Sequence, residues 1–177
     1  MMRFVNRKEI PLDRSRRRGS FGWRTSIFAL AGITLTGRAF ASAPEDITGV
    51  WLTDQKDGAI EIRPCGDHRC GRIVWMKNPK GPDGKAPVDK NNPDPKLRSH
   101  TICGLQIISA LRPQSDGSWG DGKVYNPDNG QTYGMKIRRQ TADSVKATGY
   151  MGFELFGQSM EWRRAPKNLG RCDEALK

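Results

Sequence analysis

The sequence has no apolar run long enough to cross a bilayer as a helix, which takes about 20 apolar residues. Its main apolar stretch, residues 25–37, has the length of a signal-peptide core and follows a basic arm. Ala39, Phe40 and Ala41 then supply a small-x-small cleavage site. We therefore expect residues 1–41 to be a cleavable export signal and residues 42–177 to form one domain, periplasmic or secreted, with a short C-terminal tail and no stable membrane span.

No cysteine follows the apolar stretch directly, which argues against a lipoprotein anchor. Arg16, Arg17 and Arg18 resemble a twin-arginine signal, but the apolar pair expected after them is missing. The general and twin-arginine export routes both stay open. An uncleaved N-terminal anchor is a further alternative.

The net positive charge is small once residues 1–41 are set aside. The whole chain carries a net charge of +11, and residues 1–41 hold nine of its 30 Lys and Arg but only two of its 19 Asp and Glu. The remainder has 21 basic and 17 acidic residues, a net charge of +4 that is ordinary for a soluble domain. We therefore expect no nucleic-acid partner.

Histidine is scarce, and this limits the catalytic chemistry open to the chain. His68 and His100 are the only two imidazoles that could serve as bases, and no Gly-x-Ser-x-Gly motif is present. Glu61 and Glu161 alternate with apolar neighbours, so we expect both to point to water and not to form an acid pair. No catalytic residue is assigned, and we expect no cofactor.

No segment reads as a helix of three turns, whereas short strand-like runs separated by turn residues are frequent. The predicted strands are 49–53, 59–64, 71–77, 103–111, 119–126, 131–139, 144–150 and 157–164. Asn129-Gly130 is a strong hairpin signal between two of them. Eight runs with short turns predict an all-β, eight-stranded, up-and-down antiparallel barrel with one long irregular loop.

That loop, residues 78–98, contains five prolines and no periodicity. Loops of this length are usually functional or flexible, so it could serve as a lid over one barrel mouth. The alternative is an irregular crossover that follows the surface. Its segment Asp89 to Asp94 departs from the calcium-loop pattern, which favours an ordered crossover over a cation site.

The four cysteines lie beyond the export segment, which favours disulfides. Cys65 and Cys70 flank a turn between two strands, so we expect them to face each other and pair. Cys103 and Cys172 then pair and hold the C-terminal tail to the barrel wall. The alternative, a metal site in Cys65-x-x-His68-x-Cys70, lacks a full ligand set, and we expect no metal.

Several short motifs occur in a specific order between about Thr48 and Arg164. They are Gly49-Val-Trp51, Cys65-Gly-Asp-His-Arg-Cys-Gly-Arg-Ile-Val-Trp75, Asp89-Lys-Asn-Asn-Pro-Asp-Pro-Lys-Leu-Arg98, Tyr125-Asn-Pro-Asp-Asn-Gly-Gln-Thr-Tyr133 and Gly149-Tyr-Met-Gly with Gly157-Gln-Ser-Met-Glu-Trp162. In this order they resemble domain of unknown function family 2147. The resemblance implies an exported bacterial protein and supplies no catalytic residue.

The chain also resembles lipocalin-type barrels, in which a Gly-x-Trp of the first strand packs beneath a basic residue of the last. By this resemblance Trp51 and a C-terminal arginine, Arg163 or its neighbour Arg164, form a plug at one barrel end through a cation–π contact. Large side chains that line the interior leave room for one small ligand or none. Candidate ligand-binding residues are Trp75, Tyr125, Tyr133 and Trp162.

Three functions follow from this sequence. The first is a non-catalytic envelope protein that binds a small apolar or amphipathic ligand in the barrel or at its mouth. The second is a filled-barrel scaffold for an envelope protein or a cell-wall glycan, and the third is a hydrolase of unknown substrate. A cavity of about 300 Å³ or more would favour the first, and a filled interior the second.

Overall fold

The computed structural model describes residues 43–172, so the expected export signal and its cleavage after Ala41 lie outside the described residues. Eight strands follow one another along this part of the chain: β1 (Gly49–Leu52), β2 (Gly58–Cys65), β3 (His68–Met76), β4 (Gln106–Pro113), β5 (Trp119–Asn126), β6 (Gln131–Thr141), β7 (Ser144–Tyr150) and β8 (Gln158–Arg164). Two short 3-10 helices, Pro95–Leu97 and Glu154–Phe156, lie in the connections. Within residues 43–172, no helix is long and apolar enough to span a membrane.

The sheet closes on itself, which confirms the predicted eight-stranded up-and-down antiparallel barrel. Each strand pairs antiparallel with the next, and β8 returns to pair with β1. The closing ladder is short, with Trp51 opposite Arg164 and Leu52 opposite Arg163. Closure leaves neither β1 nor β8 as an exposed edge strand.

Alternation along the strands separates the interior from the outer wall. In β6, Tyr133, Met135 and Ile137 are buried, whereas Thr132 and Arg138 on the other face are exposed. Side chains of the first kind from all eight strands, together with Ile47 and Ile102, form one continuous apolar core. This is the pattern that a sheet with one buried and one wet face requires.

The fourth strand begins later than the sequence predicts, at Gln106 instead of Cys103. Gly104 has a φ of +84°, a left-handed conformation that interrupts an extended strand. Its amide donates to the carbonyl of Ile73, and Cys103 is joined by a disulfide to the C-terminal tail. Cys103 therefore belongs to the connection that precedes β4.

Connections alternate between the two barrel ends, because consecutive strands run in opposite directions. We call one end the open end; it carries the connections 53–57, 77–105, 127–130 and 151–157. We call the other the closed end; it carries the turns after β2, β4 and β6 and the chain entering β1. The predicted loop 78–98 is the greater part of the 77–105 connection, which we call the β3–β4 loop.

Both predicted disulfides are present, and they leave no free cysteine within residues 43–172. Cys65 and Cys70 are not directly opposed: the register places Cys65 opposite His68, because the turn is only two residues long. The two cysteines are diagonal neighbours with Cα atoms 5.9 Å apart, a separation that a disulfide spans. Both sulfurs are used in this bond and are not thiolate ligands for a metal.

The second disulfide joins Cys103 at the end of the β3–β4 loop to Cys172. The amide of Cys172 also donates a 2.8 Å hydrogen bond to the carbonyl of Val74 on β3. The tail is therefore held against the outer wall of the barrel, as predicted.

Candidate ligand-binding pocket

Two tryptophans seal the closed end of the barrel. The indole N–H of Trp51 donates to the carbonyl of Ile47 at 2.8 Å, and that of Trp119 donates to the carbonyl of Glu45 at 2.9 Å. The chain entering β1 thus crosses the barrel floor, and its Ile47 is fully buried in the core. Buried indole N–H groups need such partners, so the entering chain is fixed in place.

Guanidinium groups cover both indoles from outside. Arg164 lies 4.0 Å above the Trp51 ring and Arg69 lies 4.3 Å above the Trp119 ring. Arg164 also donates to the carbonyl of Thr48. A cation over an aromatic face is attracted by the ring quadrupole, so each arginine stabilises the seal.

The structure corrects one plug residue. Of the two C-terminal arginines, Arg164 covers Trp51, whereas the side chain of Arg163 is 69% exposed and pairs with Glu161. Successive residues of β8 point to opposite faces of the sheet, so only one of the two arginines can reach the ring. Arg163 is therefore not part of the plug.

A pocket of about 240 Å³ opens at the other end of the barrel. Its walls come from the ends of β2, β3, β4 and β5, from the connection between β1 and β2, from the β3–β4 loop and from the turn after β5. The lining residues are Thr53, Asp57, Gly58, Ala59, Ile60, Ile73, Met76, Lys77, Asn78, Pro87, Ile102, Ile107, Tyr125, Asn126 and Pro127. The barrel is therefore sealed at one end and hollow at the other.

Apolar and polar groups are segregated within the lining. Ile60, Ile73 and Ile107 belong to the buried core and form the apolar part. At the rim, the Thr53 hydroxyl donates to the Asp57 carboxylate at 2.8 Å, so this pair is satisfied internally. Such a lining suits a mostly apolar molecule that keeps one polar group near the rim.

The β3–β4 loop forms one wall of the pocket and is tied down by a buried carboxylate. Pro87 and Ile102 of the loop line the pocket, and the amide of Ile102 donates to the carbonyl of Pro87. Asp89 is 0% exposed. Its carboxylate accepts a 2.7 Å hydrogen bond from the Tyr125 hydroxyl and a 2.6 Å hydrogen bond from the Asn92 side-chain amide. A buried carboxylate needs such partners, so the contact holds the loop on the barrel.

A second set of bonds joins this loop to the turn between β5 and β6. The Asn91 side-chain amide donates to the carbonyls of Pro127 and Asp128. Gly130 has a φ of +69°, and a Cβ there would lie 2.1 Å from the Asn91 carbonyl oxygen. The close approach of the two connections therefore requires glycine at this position.

The environment of the Tyr125 hydroxyl favours its protonated form. Burial, the hydrogen bond to Asp89 and the negative charge of Asp89 all raise the pKa of Tyr125 well above its usual value. The phenol is thus a permanent donor toward Asp89.

The structure separates the four predicted ligand-binding residues. Tyr125 lines the pocket, but Trp75, Tyr133 and Trp162 are not among its lining residues. Trp162 is fully buried in the core opposite Val145, and the Tyr133 hydroxyl accepts a bond from the Asn129 amide. Trp75 is half-buried outside the core cluster.

Sequence reasoning missed Pro87 and Ile102, which line the pocket, and Asp89, which holds their loop on the barrel. They lie in an aperiodic, proline-rich segment, where no pattern indicates which side chain turns inward. Val88 and Thr101 pair as an isolated bridge across the base of this loop. The only signal in the sequence is the Asp89-Lys-Asn-Asn92 segment, whose aspartate and asparagines can hold a loop through side-chain hydrogen bonds.

The other candidate chemical groups are dispersed. Glu61 lies on the outer wall between Arg72 and Arg171, at 2.9 Å from each. His100 is exposed in the β3–β4 loop, and His68 begins β3 at the closed end. Within residues 43–172, no group of three His, Cys, Asp or Glu side chains is arranged to hold a metal ion.

The family model described as "uncharacterized protein conserved in bacteria (DUF2147)" matches residues 49–164, most of the chain and the entire barrel. The chain belongs to this family. This confirms the resemblance identified from the sequence motifs. No curated protein matches this DUF2147 chain.

A solved structure supports the architecture. Protein HP1028 of Helicobacter pylori, described as belonging to the lipocalin family, is similar with a TM-score of 0.60 and 24% sequence identity. The match covers 69% of the DUF2147 chain and 84% of HP1028. At this identity the likeness concerns the fold, and the fold is lipocalin-like.

Proposed function

We propose that this protein binds one small, largely apolar molecule in the pocket at the open end of the barrel, without chemical conversion. The observation that carries the proposal is the pocket itself, about 240 Å³ between apolar strand ends and the β3–β4 loop. The opposite end is sealed by Trp51 and Trp119, so a ligand enters and leaves at the open end.

The size of the pocket limits the ligand. A dry cavity of about 150 Å³ in another protein holds benzene, whereas sites for drug-sized ligands usually span about 300–1,000 Å³. At about 240 Å³ the pocket lies between these values and below the 300 Å³ named above. We therefore expect a ligand of one or two small rings, or a short acyl chain with one polar group.

We further propose that the protein acts outside the cytoplasm, in the periplasm or after secretion. Two disulfides and a bacterial family fit an exported protein. Determination of the N-terminus of the purified protein by mass spectrometry tests this. A start at Ser42 agrees with cleavage after Ala41, and an intact N-terminus contradicts it.

Ligand binding can be tested by native mass spectrometry of the purified protein and by titration with an apolar fluorescent dye. Ile107→Phe adds bulk to a pocket-lining residue, and Ile137→Phe makes the same change in the filled core away from the pocket. We expect Ile107→Phe to abolish dye binding with little loss of thermal stability, and Ile137→Phe to keep dye binding while losing stability.

The proposal fails if the wild-type protein carries no ligand and binds no apolar dye. It also fails if folded Ile107→Phe binds the dye as the wild type does. The scaffold role would then be favoured, because large side chains already fill the core around Trp51 and Trp162. Shortening the β3–β4 loop between Lys80 and Lys85 should in that case abolish capture of the partner.

A further inference from the structure

The connection between β7 and β8 exposes four large apolar side chains in six residues. Met151 is 69% exposed, Phe153 77%, Leu155 88% and Phe156 77%. The other exposed large hydrophobic residues within residues 43–172 are much less exposed, Val88 at 42% and Leu97 at 38%. A contiguous apolar surface of this kind marks an interaction site. We call residues 151–157 the apolar turn.

The apolar turn has a defined local structure. Gly152 adopts a φ of +71°, and the amides of Phe156 and Gly157 donate to the carbonyls of Phe153 and Glu154. A Cβ at Gly157 would lie 2.8 Å from the Thr148 methyl group, so the turn packs closely on β7. The backbone therefore presents the apolar side chains to solvent in a fixed arrangement.

The only charge within the apolar turn is neutralised. Glu154 pairs at 3.1 Å with Lys136, whose side chain lies on the outer face of β6. Lys136 also lies 3.1 Å from Asp116, which has a second partner in Arg138, so Glu154 keeps a cationic partner when the turn enters a medium of low polarity. An unpaired carboxylate would oppose such a transfer strongly.

The open end as a whole is electrically balanced. Apart from the fully buried Asp89, its four connections contain seven Lys or Arg and six Asp or Glu residues, a net charge close to zero. A surface with balanced charge is neither attracted to nor repelled by anionic lipid through its net charge. It is compatible with a zwitterionic headgroup layer, where binding comes from buried apolar area and not from charge.

We propose that the apolar turn inserts into the interfacial layer of a zwitterionic lipid bilayer and places the open end of the barrel against the membrane. Interfacial segments bury apolar side chains at the boundary between headgroups and acyl chains, and this layer needs no complementary shape. This docking does not depend on ligand binding in the pocket.

A second copy of the chain fits the apolar turn less well. A stable protein interface buries about 800 Å² on each partner and involves about 20–30 residues a side. The apolar turn offers seven residues, four of them large and apolar. The surroundings at the open end are charged, not a continuation of the apolar patch.

The test uses the full chain with its N-terminus determined, and vesicles of phosphatidylcholine. An environment-sensitive dye attached to Leu155→Cys should shift to shorter wavelength on addition of vesicles. The same dye on Asp143→Cys, an exposed residue in the turn after β6 at the closed end, should not. Because the signal is local, an N-terminal segment that also binds lipid does not produce it.

Affinity provides the second measurement. In the Leu155→Cys background, Phe153→Ser with Phe156→Ser should weaken the vesicle partition about a hundredfold, since each phenylalanine loses its apolar burial. Val88→Ser with Leu97→Ser, the less exposed apolar pair in the β3–β4 loop, should change it less than about threefold. Raising the salt concentration tenfold should leave binding nearly unchanged.

Three results would overturn the proposal. The first is no wavelength shift at position 155 in the wild-type background. The second is binding that requires anionic phosphatidylglycerol and disappears in salt. The third is self-association in sedimentation experiments that the double phenylalanine variant abolishes, without vesicle binding, which would assign the apolar turn to a second copy of the chain.

Discussion

The hydroxyl of Tyr125 donates a 2.7 Å hydrogen bond to the fully buried carboxylate of Asp89, and this bond joins the barrel wall to the β3–β4 loop at the pocket. The two residues are 36 positions apart in the chain. The contact fixes the loop as one wall of the pocket, and opening this wall requires the bond to break.

Tyr125→Phe should loosen the loop without disrupting the barrel. The change leaves the Asp89 carboxylate short of one partner, at a cost of about 1–3 kcal/mol in the free energy of unfolding. We expect faster amide hydrogen exchange in residues 77–105 and faster dissociation of a bound dye. Tyr133→Phe is the control, because that hydroxyl contacts Asn129 and not the loop. Unchanged exchange in the loop would contradict the assignment.

Arg164→Ala should destabilise the closed end. The variant loses the cation over Trp51 and the hydrogen bond to the Thr48 carbonyl, together worth about 1–2 kcal/mol in the free energy of unfolding. Arg163→Ala removes the adjacent, exposed arginine and should change stability by no more than about 0.5 kcal/mol. Urea unfolding measures both, and equal effects would argue against the plug.

Removal of the disulfides should have unequal effects. The Cys103–Cys172 bond closes 69 residues of chain and the Cys65–Cys70 bond closes five. In the chain-entropy description these bonds stabilise the fold by roughly 4 and roughly 2 kcal/mol. Paired Cys→Ala variants at each bond, compared by thermal unfolding, measure the difference. A larger loss at the short bond would show that local strain or unfolded-state structure dominates.

Acidification should remove the contribution of the ionised Glu61 side chain to the free energy of unfolding. Hydrogen bonds from Arg171, and then from Arg72, lower the pKa of Glu61 below its ordinary value of 4.5 despite its partial burial. The stability linked to this shift is fully present above about pH 4.5 and is lost as the pH falls toward the lowered pKa.

Glu61→Gln tests this linkage. We expect a loss of about 1 kcal/mol in the free energy of unfolding at neutral pH, with allowance for solvent screening, and a difference from wild type that shrinks below pH 4.5. Glu161→Gln, at an exposed pair with Arg163, is the control and should show little difference at any pH. A pH-independent loss in Glu61→Gln would exclude the ionic explanation.

The barrel prediction rests on local patterns in the sequence, namely the alternation of apolar residues and the turn residues. The alternation of Tyr133, Met135 and Ile137 and the Asn129-Gly130 turn are decided by neighbours within a few residues, and the structure agrees with both. The pairing of Cys65 with Cys70 follows from one hairpin in the same way, although the tighter turn makes the pair diagonal. The choice between Arg163 and Arg164 depended on the exact register of β8 with β1, which the residues alone do not supply.

The sequence by itself determined the strand count, the antiparallel order, the Cys65–Cys70 bond and the family, because each depends on periodicity, turn chemistry or motif order. The Cys103–Cys172 bond then followed by elimination. Only the tertiary structure decided where the barrel is hollow. The long loop could have followed the surface, but Asp89 reached Tyr125 and brought Pro87 and Ile102 to the pocket. Such contacts join residues distant in the chain, and their geometry exists only once the barrel has closed.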